Sequence, residues 1–597
     1  MAKRKKTSWL VPVLFALCHL LFATSAPGQT APDGNAHPAT QLLSQGEGIS
    51  NPFGPTNADP AKIAETKAKA DFAAQVDLQP LRGLAVFHNG RVKVLDTLAR
   101  ETVQKLTGRK RYNDYIRGQA ASAAETITKP TAVKYDPLFT LLDLTIDPAY
   151  YVQRPIIGID YLNLRRDLIE LQFPGDEAKQ DHELKSGAVT PLMLDRFGMQ
   201  VAQARAGQEP YMRALAETDQ AVGLYINGYA NFVMVAPPAR DLPWQHLSRL
   251  PAEAPARQAA LKLGEAWRAG DAAGANAAIA TLAAELPAIN AGVYPTTSRG
   301  LELTYNKANA FEWGFWAYCV SLVTLLLAFG TGRRWLAGLG TGLLIGAVGL
   351  HAFGFILRCL IAERFAIQNQ YESMTGLSLF AAAVGLGVMV WRRQWLFGAA
   401  AAAVGFMVLV TATQAGIPGQ HIEREAAILN TSVLLKYHVT TVLVSYGLIA
   451  LGFVCSLFYL GSHYFGKAAP APLASPEEAG LAAVAVGEVS ATKAKLLADL
   501  DTAQMIVLQL AFWTLGVGIL LGAWWADHSW GRWWAFDPKE TWALLTWIIY
   551  LIVIHVRIAA PAKKGLTTAW LSVVGFIVML WTYFGVNLLL PGLHAYA

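Results

Sequence analysis

Residues 503–525, AQMIVLQLAFWTLGVGILLGAWW, decide the fold, because this run contains no Asp, Glu, Lys or Arg. A helix of this length extends about 35 Å, which exceeds the roughly 30 Å hydrocarbon core of a bilayer. Similar apolar runs, separated by short loops, recur between residues 311 and 597. The sequence therefore predicts an all-α polytopic membrane protein with about eight transmembrane helices, preceded by a mostly helical exported domain.

The short loops between these runs predict the orientation of the chain, since Lys and Arg concentrate in short cytoplasmic loops. A chain that starts outside and crosses eight times also ends outside. Every basic doublet then falls inside, including Arg333 with Arg334 and Arg392 with Arg393. The predicted spans are residues 313–330, 336–360, 373–391, 395–417, 438–461, 503–525, 541–559 and 567–588.

The rest of the chain divides by composition. Its first residues are basic, then apolar, then small, which is the order of a secretory signal, although an uncleaved anchor is the alternative. The predicted parts are a signal peptide or N-terminal anchor at 1–26, an exported domain of unassigned role at 27–308, spans one to five at 311–464, an Ala- and Pro-rich cytoplasmic linker at 465–500, and spans six to eight at 501–597.

Composition excludes several classes of protein. Hydrophobic residues make up 53% of the 597-residue chain and charged residues only 15%, which argues against a disordered or fully soluble protein. The four cysteines lie in apolar runs without a CxxC pair, which excludes a disulfide framework, a zinc ribbon and a covalent haem attachment site. The formal charge of +6 is spread over doublets, so no nucleic-acid partner is expected.

The exported domain carries two local patterns. Residues 261–286 are Ala-rich and amphipathic, which predicts helix. Residues 89–100 are typical of a turn followed by a helix, with Asp96 or Thr97 as its cap. The histidines of this domain lack ligand-like spacing.

The densest chemical signal is the loop of residues 524–542, WWADHSWGRWWAFDPKETW, with six tryptophans in nineteen residues. Interfacial anchoring requires only one or two. A wall of indole faces suits a large, flat, apolar ligand, and Arg532 and Lys539 could pair with carboxylates at its edge, as on a porphyrin. The predicted cofactor-binding residues of this loop are Trp530, Trp533, Trp534, Phe536, Asp537 and Trp542. Asp537 and Glu540 could equally cap the seventh span.

Histidines supply candidate ligands for a haem iron. His438 begins the fifth span and His594 follows the last, both at the predicted depth of the tryptophan loop. His555 lies about 22 Å deeper, which indicates a second haem position within the bilayer. His351 is a possible partner for His555, and a histidine that only packs helices is the alternative.

These residues resemble the CcsA (ResC) family of cytochrome c synthase components in the system II maturation pathway. The resemblance rests on residues 530–542 and their continuation to 557. It is reinforced by residues 369–373, 438–446 and 586–596, and it covers roughly residues 311–597. The family usually has Trp where Phe536 stands.

The resemblance implies that His438 and His594 ligate the outer haem and that His555 ligates haem on its entry route. It implies haem b as substrate and ligand, and covalent attachment of haem to the CxxCH thiols of an apocytochrome c. The implied partners are a CcsB/ResB-like membrane subunit, which would supply a second ligand for His555, the apocytochrome and a thiol-reducing protein. The implied location is the bacterial inner membrane, with the exported domain and tryptophan loop periplasmic.

The chemistry assigned to the chain is positioning and control of the iron, so we predict a holocytochrome c synthase component and assign no general acid or base. Two alternatives remain: a haem exporter or chaperone without ligase chemistry, and a membrane scaffold subunit.

Overall fold

The structure, a computed structural model, describes residues 48–56, 65–116, 131–417, 419–424, 433–465, 476–559 and 564–590. The described residues from 51 onward form one compact unit. The predicted signal segment at 1–26 and His594 lie outside the described residues.

The described N-terminal region, residues 65–308, is mostly helical. Its helices are α1 Thr66–Gln75, α2 Gln79–Arg82, α3 Leu95–Thr107, α4 Pro137–Ile146, α5 Leu162–Gln172, α6 Glu177–Ser186, α7 Pro191–Ala204, α8 Glu209–Asn227, α9 Pro255–Ala269, α10 Ala272–Ala288 and α11 Thr297–Ala308. Three antiparallel two-stranded sheets pair β1 Ala85–His88 with β2 Arg91–Val94, β3 Asn113–Ile116 with β4 Thr131–Lys134, and β5 Ile157–Gly158 with β6 Ala188–Val189. This agrees with the predicted mixture of helix and extended segments.

The Ala-rich segment at 261–286 is a helical hairpin made of α9 and α10. Asp271, the N-cap of α10, accepts a hydrogen bond from the Gly274 amide at 3.0 Å. The hairpin contributes Trp267 to the core, where its ring centroid lies 5.1 Å from that of Phe72 and 5.0 Å from that of Phe139. The indole N–H donates to Asp143, which is also paired with Lys69 at 2.8 Å. A buried ion pair with added donors thus links α1, α4 and α9.

The segment at 89–100 departs from its prediction. It is a β-hairpin that runs directly into α3, with Val94 as the N-cap and without a side-chain cap, so the prediction that Asp96 or Thr97 caps this helix is wrong. The amide of Leu95 donates to the Leu84 carbonyl at 2.8 Å, which satisfies a helix-start donor through the backbone. The Asp96 carboxylate accepts from Arg100 instead.

Among the described residues, eight helices are long and apolar enough to cross a membrane, which confirms the predicted number and order. They are α12 Ala310–Thr331 (continuous with α11), α13 Arg334–Ala362, α14 Gln370–Arg392, α15 Trp395–Gln414, α16 Val433–Phe465, α17 Pro476–Trp530, α18 Pro538–Ala559, and α19 Lys564–Leu580. The last helix continues through a π-helical turn, Trp581–Gly585, into α20 Val586–Leu589.

The predicted linker at 465–500 differs from expectation, because its described part from Pro476 onward is helical and continuous with the sixth span in α17. At this end of the bundle, acidic residues at the start of the sixth span meet basic residues of other spans. Asp499 lies 3.7 Å from Arg392, and Asp501 lies 2.6 Å from Arg557. The basic residues of neighbouring loops therefore gather at one end, as alternating crossings require.

The N-terminal region contacts the opposite end of the bundle through the loop of residues 419–424, which joins the fourth and fifth spans. Arg91 of β2 donates to the Ile422 carbonyl at 2.6 Å, and His421 lies 3.9 Å from Glu101 of α3. Glu101 is also paired with the buried Lys93 at 2.6 Å. We call this contact the hairpin–loop junction.

Acidification is expected to loosen the hairpin–loop junction. Burial lowers the pKa of His88 to about 4, with Lys93 adding to the effect, and burial also lowers the pKa of His421. Because the unfolded histidines bind protons first, this contribution to stability is complete above their ordinary pKa of about 6.5 and is lost as the pH falls toward 4. Hydrogen exchange at residues 85–94, corrected for intrinsic rates, should accelerate between about pH 7 and pH 4.5. Equal acceleration in the α9–α10 hairpin would contradict this expectation.

Candidate functional site

A cavity opens at the end of the bundle that carries the hairpin–loop junction. It lies among α14, α16, α17, α18 and the π-helical turn, and its volume is about 240 Å³. The walls are mostly apolar. The residues that decide its chemistry are His438, Trp525, Trp534, Lys436, Lys539 and Gln370.

His438 stands on the first turns of α16 and lines the cavity. Its Nδ1 lies 2.8 Å from the Gly518 carbonyl of α17, and a carbonyl can only accept a hydrogen bond. The proton of the neutral ring is therefore on Nδ1, and the lone pair is on Nε2. A backbone carbonyl that accepts from one ring nitrogen in this way orients an imidazole for ligation of a metal through the other.

Gly522 permits this placement of the ring. A Cβ on Gly522 would lie 2.5 Å from Cε1 and 2.8 Å from Nδ1 of His438, closer than side-chain atoms approach. The helix that carries the tryptophans therefore approaches the histidine as closely as a residue without a side chain allows.

The predicted tryptophan loop is partly helix. Because α17 continues to Trp530, the indoles of residues 524–530 project from different faces of the helix. Trp525 is therefore buried, whereas Trp524 is exposed. Trp525 and Trp534 line the cavity, and Trp530 packs against Trp525 with ring centroids 4.8 Å apart.

The other predicted aromatic residues of the loop lie outside this lining in the described structure. Trp542 packs against Trp581 with centroids 5.8 Å apart, whereas Trp533 and Phe536 are 54% and 76% exposed. Their binding role stays a prediction.

Asp537 and Glu540 act as the start of α18. The Glu540 carboxylate accepts from the Ala535 amide at 2.9 Å and from the Asp537 amide at 3.3 Å, and Asp537 accepts from the Lys539 amide. This reciprocal arrangement is a capping box. The capping alternative is therefore observed for both carboxylates.

The opposite wall of the cavity is polar and comes from residues 368–373. Asn369 caps α14 by accepting from the Glu372 amide at 2.8 Å. Gln368, Asn369, Gln370 and Ser373 all line the cavity. Within the described structure, both amide atoms of Gln370 are buried without a hydrogen-bond partner.

A tyrosine pair closes the floor. Tyr583, in the π-helical turn, is hydrogen-bonded to Ser373, and its ring centroid lies 6.1 Å from that of Tyr446. π-Helical turns are frequent at functional sites, where they redirect a side chain.

The two deeper histidines occupy different environments. His555 is on an exposed part of α18, and its Nδ1 donates to the Leu551 carbonyl at 2.8 Å. His351 is fully buried, with Nε2 donating to the Thr375 carbonyl at 2.9 Å and Nδ1 3.3 Å from the Tyr318 hydroxyl. His351 therefore packs helices with both ring nitrogens engaged, and the structure does not place it as the partner of His555.

Comparison with known proteins places this bundle in a family. The family model described as "Cytochrome C assembly protein" matches residues 309–594. The cytochrome c biogenesis protein CcsA of Synechococcus sp. (strain WH7803) is 31% identical over 322 residues, which cover 51% of this chain and 94% of that protein. The chain belongs to the CcsA family of cytochrome c biogenesis proteins.

Further relatives support the assignment. The CcsA of Gloeobacter violaceus is 30% identical over 308 residues and is covered to 88% of its length. Protein NrfI of Wolinella succinogenes is 30% identical over 253 residues, which are 25% of that longer protein. This CcsA-family chain is a multi-pass membrane protein of cytochrome c biogenesis. Cytochrome c maturation entails haem handling. The family match begins at residue 309, after α11.

Sequence reasoning missed parts of the CcsA-family site. Lys436 precedes His438 by two residues at the start of a span, and this position could have marked it as a candidate. Nothing in the sequence indicated that Lys436 lines the cavity with Lys539. Tyr583 had no signal, because its position depends on the π-helical turn. The motif at 369–373 was identified only through the family resemblance.

Proposed function

We propose that the cavity beside His438 holds haem on the outer side of the membrane, for covalent attachment to the cysteine thiols of an apocytochrome c. The observation that carries this proposal is the position of His438, whose imidazole is bonded through Nδ1–H to the Gly518 carbonyl and lines an apolar, indole-lined cavity, where imidazole is the usual ligand of a haem iron.

The cavity fits a porphyrin in two respects, the flat apolar faces of its wall and the cationic groups that line it. Trp525 and Trp534 offer flat apolar faces. Lys436 and Lys539 carry ammonium groups that suit the two propionates, and the unpaired amide of Gln370 can donate to a carboxylate.

The reaction in this proposal is addition of each thiol across a vinyl group of haem. The sulfur forms a bond to one vinyl carbon and the thiol hydrogen passes to the other, so the step is balanced without a leaving group or net oxidation. The contribution of this chain is to hold the vinyl groups toward the mouth and to exclude water from the buried face.

The proposal also covers His594, His555, a membrane partner and the location of the chain. His594 is the proposed second outer ligand, and His555 is the proposed ligand on the entry route, where a CcsB/ResB-like subunit would meet the exposed face of α18. Residues 27–308 would be periplasmic and the bundle would lie in the bacterial inner membrane. The substrate would be haem b, with a thiol-reducing protein keeping the apocytochrome cysteines reduced.

Purification and co-expression test this proposal. The chain purified with its membrane partner should show a haem absorption spectrum, and co-expression with an apocytochrome carrying CxxCH should yield acid-stable covalent haem. A colourless protein would contradict haem handling and favour a scaffold. Bound haem without covalent product would favour an exporter.

Gly522→Ala is expected to weaken haem binding, because the added methyl group would clash with the His438 ring. We expect about a tenfold to hundredfold loss of haem affinity, the range observed when groups that orient a metal ligand are lost. The measurement is haem occupancy of the purified chain at matched protein concentration. Gly387→Ala is the control, since a Cβ there meets nothing within 4 Å. Equal occupancy in both variants would contradict the assigned ring position.

A further inference from the structure

We propose that the β1–β2 hairpin and α3 of the N-terminal region position the polar wall of the cavity, acting through the loop of residues 419–424 and Arg358. This inference rests on the proposed function only for what the cavity holds. It gives the N-terminal region, which lies before the family match, a role in the site.

The β1–β2 hairpin holds the loop of residues 419–424 through Arg91. The Arg91 guanidinium donates to the Glu302 carboxylate of α11 at 2.9 and 3.2 Å, and its Nε donates to the Ile422 carbonyl at 2.6 Å. The side chains of Arg91 and Glu302 are 13% and 5% exposed. A buried, bidentate pair thus fixes the guanidinium that holds the loop backbone.

Helix α3 adds further contacts to the same loop. Gln104 donates to the Gln420 side chain at 3.4 Å, and Glu101 lies 3.9 Å from His421. The loop is therefore held by the N-terminal region over several consecutive residues, through both its backbone and its side chains.

Arg358 in turn attaches the loop to the third span. Arg358 of α13 donates to the Gly419 and Gln420 carbonyls, each at 2.8 Å, and its Nε donates to Glu372 at 3.1 Å. The side chains of Arg358 and Glu372 are fully buried. One guanidinium therefore joins the loop to the first turn of α14.

Contacts of Glu372 and Gly419 connect the loop to the cavity wall. Glu372 accepts from the Gln368 amide at 3.1 Å, and its own amide donates to Asn369. Gly419 lies so close that a Cβ there would be 2.3 Å from Asn369 Cγ. Gln368 and Asn369 line the cavity, so displacement of the loop moves the wall directly. These residues act as positioning residues.

The test compares Arg91→Met with Arg205→Met in the full chain. Arg205 is paired with Asp167 at 3.0 Å inside the N-terminal region, without a contact to the loop among the described residues, so its loss reports general damage. Arg91→Lys keeps the charge beside Glu302 but loses the fork, and an intermediate effect is expected.

The first readout is hydrogen exchange at residues 368–373 and 419–424. Both segments should exchange about tenfold faster in Arg91→Met, equivalent to about 1.4 kcal/mol, and at the wild-type rate in Arg205→Met. Unchanged exchange at 368–373 in Arg91→Met would overturn the proposal, as would an equal acceleration in both variants.

The second readout is transfer of bound haem to excess apomyoglobin. Release from Arg91→Met should be about tenfold faster than from wild type. Equal release rates would overturn the positioning of the haem site even if exchange changed. A wild-type chain without haem would contradict the proposed function, and hydrogen exchange would still decide whether the N-terminal region positions the wall.

Discussion

Replacement of His438 by alanine is expected to remove haem from the cavity and to abolish covalent attachment. The ring carries the proposed iron ligand, and its Nδ1 is already committed to the Gly518 carbonyl. Loss of an orienting group costs about 10–100-fold in metal affinity, and loss of the ligand itself should cost at least the upper end of that range. The measurements are haem occupancy by absorption and acid-stable haem on a co-expressed apocytochrome.

Two controls separate ligation from folding damage. His528→Ala removes an exposed histidine at the end of the same helix, α17, and should leave both measurements unchanged. Added imidazole should restore haem to His438→Ala, because the truncated side chain leaves room for a free ligand. Full haem occupancy in His438→Ala without imidazole would contradict the assignment of His438 as an iron ligand.

Replacement of Arg358 by methionine is expected to give the largest loss of stability. The guanidinium is fully buried and bonds Glu372 and the carbonyls of Gly419 and Gln420. Breaking a buried pair by removing one partner costs about 3–5 kcal/mol when the remaining charge is left without a partner. Because Glu372 keeps its ion pair with Arg364 at 2.7 Å, we expect the lower end of this range. The free energy of unfolding in mixed micelles measures the loss.

The control for Arg358 is Arg334→Met, which changes an exposed arginine on the same helix, α13. Its effect should stay within about 0.5 kcal/mol, as is usual for surface substitutions. Arg358→Lys should also be destabilised, since an ammonium cannot reproduce the planar fork. A loss below about 1 kcal/mol in Arg358→Met would contradict a structural role for this contact.

The membrane helices could be predicted from sequence because span length and apolarity are local properties. The run at 503–525 needs no tertiary contact to be identified, and loop charge then orders the crossings. Capping of α18 by Asp537 and Glu540 was equally local, since both residues bond the backbone within five positions.

The predictions that failed depend on helix continuation and tertiary contacts that the residue pattern does not encode. Which indoles line the cavity follows from the continuation of α17 to Trp530, which turns Trp525 inward and Trp524 outward. The bond from Arg91 to Ile422 spans 331 positions, and no periodicity encodes it. The helix start at Leu95 was missed because a carbonyl from the preceding segment, at Leu84, replaced the expected side-chain cap.

The most direct test of the central claim is an experimental structure of the full chain purified with bound haem. We predict a porphyrin between Trp525 and Trp534 with its iron bonded to Nε2 of His438. A haem seated elsewhere, with the His438 ring turned away from the iron, would contradict it.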